Sequence, residues 1–64
     1  MSSLTRQLKE KLKEHGCEFH RRGRGDHEIW KSPINGKKFT VDGDIRSRHT
    51  ANEVLKQAGI KEKL

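Results

Sequence analysis

The 64 residues include one cysteine, one proline, one tryptophan, two phenylalanines and no tyrosine. A lone cysteine, Cys17, excludes an intramolecular disulfide. Only 28% of residues are apolar and 38% are charged, close to the composition at which a chain stops folding. A chain this short buries only about 60% of its extended surface, so a thin core and marginal stability are expected. No segment approaches the roughly 20 apolar residues of a membrane span. The first residues are polar and charged, without the apolar run of a secretory signal. The reading is one domain over residues 1–64, in the cytoplasm, with no membrane association.

What the chain has is positive charge and periodicity. Fifteen Lys and Arg against nine Asp and Glu give a formal charge of +6, which suits a polyanionic partner such as RNA, DNA or an acidic protein surface. Leu4, Leu8 and Leu12 recur every four residues among Lys, Arg, Glu and Gln, which predicts an amphipathic helix over about residues 3–15. Ser2, Ser3 and Thr5 are its candidate N-caps. Gly16 followed by the apolar Cys17 is its stop. His15 extends the leucine stripe and covers the edge of the core.

Residues 17–22 alternate, Cys17 and Phe19 on one face and Glu18 and His20 on the other, as in a half-buried strand. A turn over residues 23–26 leads to a second strand, His27 to Lys31, with Ile29 as its core residue. Pro33 either ends that strand or sits on an edge. Asn35-Gly36 signals a type I′ hairpin, and residues 37–41 return with Phe39 and Val41 on one face. Thr50 and Glu53 form a capping box for a second helix, whose buried face is Ala51, Val54, Leu55 and Ala58. Gly59-Ile60 repeats the glycine-then-apolar stop, and residues 61–64 read as a frayed tail. The fold class is α+β, ordered α-β-β-β-α, with both helices on one face of a three-stranded antiparallel sheet and the other face open.

The chemistry concentrates in Gly23-Arg24-Gly25-Asp26-His27-Glu28-Ile29-Trp30, where a glycine turn delivers a histidine among Arg21, Arg22 and Arg24. Cleaving RNA without a metal needs a base for the 2′-hydroxyl and positive charge on the phosphorane. Histidine can serve as base or acid near neutral pH, and Arg21, Arg22, Arg24 and Lys31 can supply the charge. Asp26 either orients His27 or is simply a turn residue. Trp30 either stacks on a base, anchors a partner, or is a partly buried sheet residue. Lys37 and Lys38 either touch phosphate or keep an edge strand soluble. His15, Cys17 and His20 lack the second close pair of a structural zinc site, so no metal or other cofactor is expected. One tension stands out. With Ile29 in the core, the period of two turns His27 toward the helices, unless it precedes the regular strand or a bulge shifts the register.

The leucine-striped helix ending in glycine, the glycine turn before His27-Glu28-Ile29-Trp30 and the closing Leu55-Lys56-Gln57-Ala58-Gly59-Ile60 together resemble the HicA toxin family, over about residues 4–60. The resemblance implies a double-stranded-RNA-binding-domain-like fold. It implies a metal-independent endoribonuclease that cleaves mRNA, is neutralised by a HicB-type antitoxin, and uses His27 as its catalytic residue. Asp26 stands where the family usually has Ser, and Val41-Asp42-Gly43-Asp44 stands where many members have a Pro and a His. From the residues alone, the alternatives are a non-catalytic RNA-binding module of the same fold and an inert member that only binds another protein.

Overall fold

The computed structural model describes residues 3–64. Its elements are α1 (Ser3–Glu14), β1 (Glu18–Arg22), β2 (Glu28–Lys31), β3 (Lys38–Val41) and α2 (Arg48–Gln57). The sheet is antiparallel in the order β1-β2-β3, so the expected α+β architecture is the observed one. Both helices pack on one face. Leu8 and Leu12 of α1 and Ala51, Val54 and Leu55 of α2 share a core with Trp30, Phe39 and Val41 of the sheet. Of the candidate N-caps, Ser2 lies outside the described residues, and the Thr5 hydroxyl instead accepts the Ile45 N–H at 2.8 Å, tying α1 to the chain after β3.

Both helices end as their glycines require. Gly16 and Gly59 take φ of 84° and 80°. The Cys17 N–H reaches back to the Leu12 carbonyl and the Ile60 N–H to the Leu55 carbonyl, each at 2.9 Å, while Cys17 and Ile60 enter the core. These are Schellman closures with their apolar contact.

Four expectations are corrected. First, Trp30 is the core residue of β2, 2% exposed, and Ile29 lies half-buried on the open face. The core beneath the sheet centre takes the larger side chain, and the neighbouring residue of the strand must point the other way. Phe19, paired with Trp30 on the helix side, sits at the margin of β1 and stays 49% exposed, its ring edge-on to Trp30 at 6.5 Å. Second, no type I′ turn forms, because among the described residues none other than glycine has positive φ, and Lys31 pairs with Lys38. The turn is wider because its polar groups cap α2: Ser32 Oγ donates to the Ala58 carbonyl at 2.6 Å and Asn35 Nδ2 to the Gln57 carbonyl at 3.0 Å. Third, α2 begins at Arg48 with Ser47 as N-cap, so Thr50 and Glu53 form no capping box. Ile45 is seated in the core just before, and the chain turns helical once past it. Fourth, the tail is docked. Glu62 meets Lys11 at 2.9 Å and His15 at 2.8 Å, and the Leu64 N–H reaches Asn52 Oδ1 at 2.8 Å.

Candidate active site

The placement of His27 follows from the strand that it precedes. Trp30 faces the helices, so Glu28 does too, and Ile29 and His27 face away. The tension over its direction disappears once Trp30 rather than Ile29 fills the core. The loop from β1 to β2 fixes the backbone of His27 at both ends: its N–H donates to the Arg24 carbonyl at 3.0 Å, and its carbonyl accepts the Gly23 N–H at 2.9 Å.

The register of β2 and β3 supplies a partner that the sequence reading did not identify. Glu28 pairs with Val41, so His27 and Asp42 occupy the next rung, both on the open face. His27 Nε2 lies 3.0 Å from Asp42 Oδ1. Asp26 Oδ1 is 3.9 Å from the same nitrogen, too far for a hydrogen bond. Asp26 is therefore a turn residue, packed against Gly43: a Cβ at Gly43 would come within 2.7 Å of Asp26 Oδ2. Asp42 thus sets a carboxylate oxygen against Nε2, and among the described residues no hydrogen bond engages Nδ1. Both side chains are about half exposed, so the pair is open to a ligand and to solvent.

The structure divides the basic residues named above. Arg21 opposes Ile29 on the open face because a bulge at His20 reverses the alternation between Phe19 and Arg21. Lys31 is on the same face and exposed. Arg24 is exposed in the turn before His27. Arg22 opposes Glu28 on the helix side, away from His27. Trp30 presents no face to a base; its indole N–H donates to Glu28 Oε1 at 2.9 Å. That bond, with Lys9 at 3.2 Å, holds the Glu28 carboxyl below the usual range. The remaining histidines stand apart: His15 just after α1, against Glu62 of the tail, His20 at the bulge and His49 in the first turn of α2.

The sequence model of the family described as HicA toxin of bacterial toxin-antitoxin matches residues 5–60. No curated protein and no solved structure matches the chain. The matched span runs from the first turn of α1 to the apolar residue that closes α2, and so includes the whole sheet and the His27–Asp42 pair. The chain belongs to the HicA family of bacterial toxin–antitoxin toxins.

Proposed function

We propose that the protein is the toxin of a type II toxin–antitoxin pair that cleaves mRNA, with His27 as the catalytic base and a HicB-type antitoxin as its inhibitor. The observation that carries this reading is the outward-facing His27 ring, oriented by Asp42 at 3.0 Å on the open sheet face. A histidine fixed by one nitrogen and free at the other is suited to general-base catalysis.

In the step envisaged, Nδ1 of His27 takes the proton of a ribose 2′-hydroxyl. The 2′-oxygen attacks the adjacent phosphorus, the bond from phosphorus to the 5′-oxygen breaks, and the leaving oxygen is protonated by water or by the imidazolium just formed. The products are a 2′,3′-cyclic phosphate and a 5′-hydroxyl. Arg24 and Arg21 offer positive charge for the phosphorane. A single positioned base contributes about 10²- to 10⁴-fold, so turnover is slow, which is sufficient for a toxin.

The test is induced expression of wild type and His27→Ala, scored by growth, together with incubation of each purified protein with RNA in the presence and absence of EDTA. The expected outcome is growth arrest and EDTA-resistant cleavage by wild type alone. Equal toxicity and cleavage by the alanine variant would remove His27 from the reaction. Binding without cleavage by both proteins would establish the alternative, a non-catalytic RNA-binding module.

A further inference from the structure

The open face of the sheet carries charge that the fold does not use. Its rungs run Glu18–Lys31–Lys38, then Arg21–Ile29–Thr40, then His27–Asp42. Lys31 and Lys38 are direct cross-strand neighbours, and like charges so placed destabilise a sheet. Among the described residues, no ion pair engages Arg21, Lys31 or Lys38. Phe19, Trp30 and Phe39 all belong to the helix side, so among the described residues this face has no Phe or Trp ring, and its one ring is the His27 imidazole.

We propose that the open face is a phosphate track for single-stranded RNA: the backbone of one strand lies over Lys31, Lys38 and Arg21 and leads to His27. This deepens the ribonuclease reading and rests on it. Its size favours one strand. From His27 to Lys31 is about 13 Å at the strand rise, and three strands span about 10 Å, an area that covers a few nucleotides. Reading a duplex takes about 16 base pairs across two minor grooves. Without a Trp, Tyr or Phe platform beneath Lys31, Lys38 and Arg21, the hold along the track is electrostatic. A phosphate between Lys31 and Lys38 relieves their repulsion, which accounts for two lysines on one rung. The track therefore accepts strands of different sequence and responds steeply to salt.

The probe is a short labelled 2′-O-methyl oligouridylate, which is single-stranded and cannot be cleaved by attack of its 2′-oxygen. Its affinity for wild type, Lys31→Ala/Lys38→Ala and the control Arg6→Ala/Lys13→Ala, which removes equal charge from α1, is measured against salt. Each lost phosphate contact flattens the log–log slope by about 0.7. The double sheet variant is then shallower by about 1.4, so wild type loses about sevenfold more affinity than it does between 50 and 200 mM salt. The control keeps the wild-type slope. The track is overturned if the sheet variant keeps the wild-type slope, if the control flattens it equally, or if an RNA duplex of the same length binds more tightly than the single strand. Cleavage plays no part in this measurement. Binding through the two lysines by a protein that never cuts ordinary RNA would refute the nuclease reading and leave the track standing.

Discussion

Replacing Asp42 separates orientation of the histidine from catalysis by it. The His27 and Asp42 side chains are 46% and 48% exposed. Exposed ion pairs are worth about 0.2–1 kcal/mol, because water screens the charges and the side chains lose freedom in meeting. Converted to rates, that is a factor of about 1.4 to 5. A buried carboxylate behind a catalytic histidine can contribute about 10⁴-fold, but a half-solvated one lacks the low dielectric that this requires. Asp42→Ala is therefore expected to slow single-turnover cleavage of a labelled RNA by up to about fivefold, with little change in KM. His27→Ala slows it by about 10² to 10⁴-fold. Asp42→Asn keeps an oxygen of the same reach beside Nε2 and recovers most of the loss. The double variant His27→Ala/Asp42→Ala is no slower than His27→Ala alone, because Asp42 acts through the ring. Circular dichroism checks that each variant folds. A loss in Asp42→Ala as large as that in His27→Ala would show instead that Asp42 takes part in the reaction itself.

The other predictions concern the fold beneath the site. Trp30→Ala should cost about 3–5 kcal/mol in urea unfolding, a large share of the roughly 5–15 kcal/mol that holds a small domain together. Phe19→Ala, which removes a half-exposed ring, should cost about 1.5 kcal/mol or less. The reverse order would contradict the placement of Trp30 in the core. Glu28 binds its proton less readily folded than unfolded, because the Trp30 N–H and Lys9 hold the carboxylate form. Its contribution is complete above the unfolded value of about 4.3 and is lost as the pH falls through the lower folded value. The stability difference between wild type and Glu28→Gln should therefore shrink on acidification below about pH 4, and a difference that grows there would contradict the ion-pair geometry. Cys17 is 3% exposed, and burial pushes its thiol up. It should react with a disulfide reagent only as fast as the protein opens; rapid stoichiometric reaction in the native state would place it elsewhere.

The helix ends were legible in the sequence because Gly16-Cys17 and Gly59-Ile60 state their own geometry within two residues. Element order and the open sheet face followed from apolar periodicity. Two features of the site did not. Ile29 and Trp30 are adjacent and both apolar, so local pattern alone could not say which faces inward; the volume of the core decides it. Asp42 was hidden by register. A two-residue turn at Asn35-Gly36 pairs Ile34 with Lys37, which by extension sets Asp44 opposite His27. The observed pairing of Lys31 with Lys38 sets Asp42 there. The difference arises because Ser32 and Asn35 bond to the last carbonyls of α2, a contact 22 to 26 residues distant in sequence. Likewise, the bulge that sends Arg21 to the open face becomes visible only when β1 is paired with β2.

Catalysis by His27 is tested most directly by comparing folded wild type and His27→Ala on an RNA and on the same strand carrying 2′-deoxyribose at the cleaved position. The expected result is that wild type cuts the RNA to a 2′,3′-cyclic phosphate and fails on the deoxy substrate, and that His27→Ala cuts about 10²-fold or more slowly. Cleavage of the deoxy position by wild type, or undiminished cleavage by His27→Ala, would contradict it.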